Sequence, residues 1–375
     1  MAETVREGAD AVPGHGAVVF VLATSAGGVG RHVAELCSGL SARGAAVHVA
    51  APAETLSRFS FDAATTPVGI GASLHPLRDL RAAARLRRAL LAPAARGAVV
   101  HAHGVRAALV ASLAVRTLRP RPGLVVTLHN AVLGSGGRAR LGRAVQDAVC
   151  RCADVVLAVS QDLLEQARSA GARRVRRALV PAPVLRPGAP VLPPGDPVVL
   201  VVARLAPQKG LGVLLDAVGL LRHRARVLVA GDGPLRAVLA ERVEARGLPL
   251  VLLGARDDVP DLLASADVAV SASEWEGQPV FLQEALRAGV PVVATDAGGT
   301  AEVTGAAADL VPVGDAAALA AAVDALLADP QLREERRARS RERARQLPGA
   351  ADALAQVLAE HGAARCAARG APDVG

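Results

Sequence analysis

Ser273-Glu274-Trp275-Glu276-Gly277-Gln278-Pro279-Val280-Phe281-Leu282-Gln283-Glu284-Ala285 is the stretch on which the reading of this chain turns. It follows a short apolar run, residues 268–271, and opens a helical pattern over residues 280–288. Strand, loop, helix is the repeating unit of a parallel sheet, whose ligands sit beyond the C-terminal strand ends. Glu276 falls in the loop and Glu284 about one turn inside the helix, with seven residues between them. A helix start presents free N–H groups and a positive dipole end, which suits a phosphate. An ionised carboxylate on either side accepts several hydrogen bonds and suits sugar hydroxyls. The alternative is a surface loop with two solvated acids, and the motif alone leaves both readings open.

Working towards the N-terminus, Ala203-Arg204-Leu205-Ala206-Pro207-Gln208-Lys209-Gly210 closes another apolar run, residues 198–203. Arg204 and Lys209 at a strand's C-terminal end can neutralise charge growing on a departing diphosphate. They can also be two exposed bases in a basic protein. Composition favours the first reading. Lys209 is the only lysine among 43 basic residues, and Asn130 is the only asparagine. A chain that avoids a residue type almost everywhere keeps it where chemistry needs it.

Between these segments and beyond them, apolar runs alternate with helical patterns. Strands are expected at residues 17–23, 46–50, 98–101, 124–128 and 155–159, with helices at 31–42, 105–115 and 138–152. A second series has strands at 198–203, 226–230, 250–253, 268–271 and 291–295, with helices at 211–221, 234–246, 259–265 and 280–288. Continuous apolar strands separated by helices imply mostly parallel sheets covered on both faces. Seven prolines between Pro181 and Pro197 mark a break. The expected organisation is a flexible tail (1–16), a Rossmann-like N-terminal domain (17–185) and a Pro-rich linker (186–197). A second Rossmann-like domain (198–347) follows, then a C-terminal helix and frayed end (348–375). The fold class is α/β, two doubly wound domains facing each other across a cleft.

The balance of 51% hydrophobic and 21% charged residues is that of a globular protein. No apolar run reaches the ~18–20 residues of a membrane span, and the first residues show no apolar leader. Four cysteines without metal-ligand spacing suit free thiols, so a cytoplasmic location is expected, with the inner membrane face as an option. A formal charge of +8 raises nucleic-acid binding, but one Trp, four Phe and no Tyr leave little to stack on bases. No nucleic-acid partner is expected. Arg78, Arg81, Arg85 and Arg88 share one face of a helical stretch with only Asp79 against them. That face is either solvated or suited to an anionic membrane.

With these motifs in place, the second half resembles the retaining, family-4-type glycosyltransferases of the GT-B fold. The matching elements are Arg204…Lys209-Gly210, Gly231-Asp232-Gly233-Pro234, Ala266-Asp267-Val268, Glu276…Glu284 and Gly298-Gly299…Glu302, in order over about residues 198–303. The resemblance implies transfer of a sugar from an NDP-sugar donor, of UDP or GDP type, to an acceptor that the sequence does not name. It implies Arg204 and Lys209 on the diphosphate, Glu284 on the ribose and Glu276 on the donor sugar. Gly277, Val280 and Phe281 line the helix start. Gly231, Gly233, Pro234 and Arg256 flank nucleoside and base, and Gly298 and Gly299 let backbone approach the sugar. No cofactor and no metal are expected, since the basic side chains do the electrostatic work.

The N-terminal half matches more loosely. Gly28 lies in the Gly-rich turn Ala26-Gly27-Gly28-Val29-Gly30-Arg31, which has Val33 where a dinucleotide fingerprint needs glycine. His129 is expected to reach the transferred sugar, with a structural histidine as the alternative. His101, His103 and Asn130 are expected on the acceptor side, and the His101–His103 pair also suggests a metal, for which no third ligand is apparent. The chain departs from the family with Gln278-Pro279 where Phe-Gly is common, which leaves donor preference open. Rival readings are a nucleotide-sugar isomerase or epimerase of the same fold, and a non-catalytic nucleotide-sugar-binding protein.

Overall fold

The structure is a computed structural model that describes residues 16–370 apart from 26, 184, 185 and 187. Most of the expected tail (1–16) and the last five residues therefore lie outside the described residues. In chain order the first domain runs β1 (Val18–Leu22), α1 (Gly28–Ser41), β2 (Val47–Ala51), α2 (Ala53–Arg58), β3 (Ala64–Pro67), α3 (Pro76–Leu90), β4 (Val99–His103), α4 (Val105–Val115), β5 (Leu124–Leu128), α5 (Gly137–Cys152), β6 (Val155–Ala158), α6 (Gln161–Ser169) and β7 (Val175–Arg177). The second runs β8 (Val198–Val202), α7 (Leu211–Leu220), β9 (Arg226–Ala230), α8 (Arg236–Ala245), β10 (Leu250–Gly254), α9 (Val259–Ala264), β11 (Val268–Ser271), α10 (Val280–Arg287), β12 (Val292–Thr295), α11 (Thr300–Thr304), β13 (Ala308–Val311), α12 (Ala316–Ala328) and α13 (Pro330–Gln346). A last helix, α14 (Ala350–Ala368), follows.

Each domain holds one all-parallel sheet. The order is β3-β2-β1-β4-β5-β6-β7 in the first and β10-β9-β8-β11-β12-β13 in the second. The central strands, such as VVFVL in β1 and VVLVV in β8, are apolar at every position because helices cover both faces. In both sheets the order reverses beside the first strand, between β1 and β4 and between β8 and β11. Loops leaving such a switch point diverge and open a crevice at the C-terminal strand ends. The loops that leave β1, β8 and β11 carry the Gly-rich turn, Lys209 and Glu276, and His103 ends β4 beside them.

The chain crosses between the domains twice. It goes out through Val180–Pro183 and returns at Pro348, after which α14 packs on the first sheet. Leu354 and Val357 of α14 join the core formed by Phe20, Leu36 and Leu40. Arg174 Nε donates to Glu360 Oε2 at 2.7 Å, and Gln356 bonds both Leu179 N and Arg177 O. Arg287, the last residue of α10, pins both crossings, donating to the carbonyls of Ala182 and, at 3.2 Å, of Pro348.

Candidate active site

β8 runs into the loop that holds Arg204 and Lys209, and β11 into the loop that holds Glu276. The two loops meet. Lys209 Nζ donates to Glu276 Oε1 at 2.6 Å, and Ser273 Oγ donates to the same oxygen at 2.6 Å. The Lys209 and Glu276 side chains are 20% and 12% exposed, so the ion pair is partly dry and still reachable by a ligand. Arg204, in the same loop as Lys209, is exposed, and its side chain makes no hydrogen bond or ion pair to any described residue. Two cations and one carboxylate leave a net positive site at the C-terminal ends of the central strands, the charge balance a diphosphate requires.

Glu284 shares the motif with Glu276 but not its surroundings. The residue is 7% exposed, and its carboxyl makes no hydrogen bond to a described residue. Burial pushes its carboxyl up to about 7, against the pull of Arg31 and Arg287. Its oxygens keep some surface, so a ligand hydroxyl can reach them and donate. α10 begins one turn away at Val280, with Pro279 as N-cap and no side chain capping its N–H groups. Across the cleft stands Gly28, where a Cβ would lie 3.8 Å from Val280 Cγ2. The Gly-rich turn thus faces the open end of α10.

Of the remaining predicted donor residues, the glycines pack against the loops of Arg204 and Glu276. Gly231 and Gly233 pack under the Ala203 and Leu205 carbonyls on either side of Arg204, and Leu205 N donates to Asp232 O. Gly298 has φ +56°, and a Cβ there would come within 2.2 Å of Glu276 O, so only glycine fits. Gly299 N donates to Glu276 O at 2.8 Å. Gly277 abuts Val159 and the His129 carbonyl of the other domain. Arg256 forms an ion pair with Asp258 inside its own exposed loop, next to Gly254, whose carbonyl accepts from Gly231 N. Phe281 is half-buried on α10, and Asn130 is exposed without a described partner. Pro234 lies in the turn before α8.

The histidines are arranged differently from expectation. His101 is fully buried; its Nδ1 meets His361 Nε2 at 3.0 Å and its Nε2 meets Thr127 Oγ1 at 2.7 Å. It therefore does not face an acceptor, because α14 covers it from behind. His103 is buried as well, stacked on His101, with its Nδ1 at 2.9 Å from His129 Nε2. His129 sits at the cleft by its carbonyl, but the Nε2 edge of its ring turns inward to His103. His32 completes the cluster edge-on to both. Burial drives His129 and His361 down to about 3 and His32 to about 4, and holds His101 and His103 well below the ordinary range. The five rings stay neutral. Among the described residues no group of three or more His, Cys, Asp or Glu side chains could hold a metal ion.

Sequence reasoning passed over Ser273, Arg31, Arg287 and His361. Arg287 follows Glu284 by three residues, one helix turn, and that spacing was readable. Ser273 bonds Glu276 three residues on within the quoted loop, whereas Arg31 and His361 reach their partners through tertiary contacts.

Comparison with known proteins agrees with this architecture. Residues 187–346 match the family described as "Glycosyl transferases group 1", and residues 27–183 match the "Glycosyl transferase 4-like domain". The chain belongs to the group 1, family-4-type glycosyltransferases. Among curated relatives it is 32% identical over 162 residues to the alpha-D-kanosaminyltransferase of Streptomyces kanamyceticus, covering 41% of each chain. It is 35% identical over 148 residues, 37% of each chain, to the GDP-mannose-dependent alpha-(1-6)-phosphatidylinositol dimannoside mannosyltransferase of Mycobacterium tuberculosis. These matches span less than half the length of the relatives. Sucrose-phosphate synthase from Thermosynechococcus elongatus superposes with a TM-score of 0.78 at 22% identity, over 92% of this chain and 98% of that one. Anabaena HepE, solved with UDP and glucose, superposes with a TM-score of 0.73 at 19% identity, over 92% of this chain and 99% of that one. These likenesses establish the GT-B fold.

Proposed function

We propose that the enzyme transfers a glycosyl group from a UDP- or GDP-sugar, held mainly by the C-terminal domain, to an acceptor brought by the N-terminal domain, with the anomeric configuration retained. The observation that carries this is the Lys209–Glu276 pair beside an unengaged Arg204 and a buried Glu284 that lacks a donor. Arg204 and Lys209 would neutralise the leaving diphosphate, so the chemistry needs no bound metal. Glu284 would accept from the ribose hydroxyls and Glu276 would orient the sugar. Retention follows if the acceptor oxygen attacks the face from which the phosphate departs. The C–O bond to phosphate breaks as the new one forms, and the acceptor's proton passes to the leaving phosphate. The GDP-mannose in the name of one similar protein and the UDP and glucose bound to another fit the same class.

On the acceptor side, α3 exposes Leu77 (63%) and Leu80 (57%) beside Arg78, Arg81, Arg85 and Arg88. Asp79, the lone acid there, is buried against Arg106 at 2.5 Å and does not offset them. No helix among the described residues is long and apolar enough to cross a membrane. The face suits docking on an anionic lipid surface that presents the acceptor, and co-sedimentation with neutral vesicles as strongly as with anionic ones would count against this.

The deciding experiment is a thermal-shift panel of UDP, GDP, ADP and their sugar conjugates on wild type and Arg204→Ala/Lys209→Ala. A ligand at 100 times its dissociation constant stabilises by about 2.7 kcal/mol. We expect one nucleotide to shift wild type and not the double variant. An equal shift in both would remove the diphosphate assignment.

A further inference from the structure

Trp275 and Glu276 are neighbours in one loop, yet they are anchored in different domains. Glu276 is held by Lys209 and Ser273, both of the C-terminal domain. The Trp275 ring is buried in the core of the N-terminal domain, and it is the only buried side chain from residues 198–347 in that cluster. Its indole Nε1 donates to Asp162 Oδ2 of α6 at 2.9 Å. The second sugar-side element, the Gly298-Gly299 turn with α11, is tied to the same place. Glu302 Oε1 accepts from Gln161 N at 2.8 Å, and its Oε2 from Arg177 Nε at 2.6 Å.

α6 explains why these bonds form there. Its N-cap, Ser160, makes no side-chain capping bond, so a first-turn N–H is left to be satisfied from outside. A carboxylate at a helix N-terminus also gains from the dipole. Glu302 reaches across the cleft to supply both. A Cβ on Gly299 would lie 3.4 Å from Ser160 Cβ, and one on Gly298 would lie 2.9 Å from the Trp275 indole nitrogen. The two loops are therefore packed on each other as well as on α6.

Building on the transferase reading, we propose that the first turn of α6 is a latch. Asp162, through Trp275, and Glu302, through Gln161 and Arg177, are positioning residues that hold Glu276 and the Gly298-Gly299 turn in place only while the two domains are closed. Arg204, Lys209 and Glu284 lie within the C-terminal domain, so nucleotide binding does not need the latch. Turnover does, because misplacing a reacting sugar by an ångström can cost about a hundredfold.

Trp275 is the only tryptophan and tyrosine is absent, so intrinsic emission reports this contact alone. The experiment compares wild type with Asp162→Ala, Asp162→Asn, Glu302→Ala and Trp275→Phe. It reads Trp275 emission and acrylamide quenching in the unliganded protein, nucleotide affinity, and kcat against KM for the donor. For Asp162→Ala and Glu302→Ala we expect red-shifted, more quenchable emission, unchanged nucleotide affinity, and kcat lower by roughly ten- to a hundredfold. Trp275→Phe keeps the buried ring and loses the N–H, so it should show the same loss of kcat. Asp162→Asn keeps an accepting oxygen and should restore both readouts towards wild type. Wild-type emission and kcat in Asp162→Ala would overturn the latch, as would an Asp162→Asn variant as impaired as Asp162→Ala. If wild type turned over no nucleotide sugar, the transferase reading would fall by itself. The emission comparison would then still decide the latch, a shift supporting it and its absence overturning it.

Discussion

The two domains share one plan and place opposite chemistry at the C-terminal tips of their inner strands. Beyond β8 and β11 the polar groups are charged and partly wet, Arg204, Lys209 and Glu276. Beyond β4 and β5 they are imidazoles stacked dry and held neutral, His103 and His129. The ordinary Rossmann-like frame imposes neither outcome. On the donor side the loops are short and open towards the cleft, so charge stays hydrated until a ligand replaces the water. On the other side α14 closes the back of the sheet, and desolvation removes the charge. One half answers to an anion and the other to protons.

The largest effect that tests this contrast is Lys209→Ala, expected to lower turnover by roughly ten- to a thousandfold while the fold persists. Steady-state rates with donor saturating, together with an unchanged circular dichroism spectrum, would check it, and wild-type turnover would break the charged half of the comparison.

Next comes the buried acid. Glu284 titrates near 7 in the folded chain and near 4.5 when unfolded. Between those values the native state holds the extra proton, so stability falls as pH rises through the window. Glu284→Gln should therefore raise stability at pH 8 by about 2–3 kcal/mol. The same change should weaken nucleotide binding by about tenfold and flatten its rise between pH 6 and 8. Denaturant melts and calorimetric titration of one variant measure both. A variant that gained stability and bound nucleotide as well as wild type would show that Glu284 does not meet the ligand.

The histidines run the other way. Their folded values lie below 6.5, so the unfolded chain takes up protons first as pH falls, and stability is lost from 6.5 downward, to about 4 for His32. His32 makes only ring-edge contacts with His103 and His129. His32→Leu should thus reduce the stability lost between pH 7.5 and pH 5 by about 2 kcal/mol. Equal acid sensitivity in wild type and variant would remove the claim that burial keeps this ring neutral.

Legibility in the sequence followed the same divide. The donor side could be read because its parts are consecutive: an apolar strand, a short loop and a capped or uncapped helix start each lie within a dozen residues. β5, β9 and β11 and helices α4 and α10 fall on or within a residue of their expected ends. β3 and β7 gave no signal, since edge strands such as Ala64–Pro67 are short, half-exposed and without an apolar run. β13 and the Ala-rich α12 were also passed over; alanine gives a helix its propensity but no visible stripe. The histidine cluster was beyond reach. His101 could be seen at a strand end, but His361, which takes it out of the cleft, is 260 positions away.

That distance also sets an order of events. α14 follows the second domain in the chain, so Phe20 and His101 wait for their cover until that domain has been made. The first domain cannot be completed in passing, as an N-terminal domain usually is; it stays ajar through the synthesis and folding of the second. A gene fragment ending in the linker would encode a sheet with one flank bare. Excising the donor domain would be the gentler surgery, provided the last helix were grafted back onto the first.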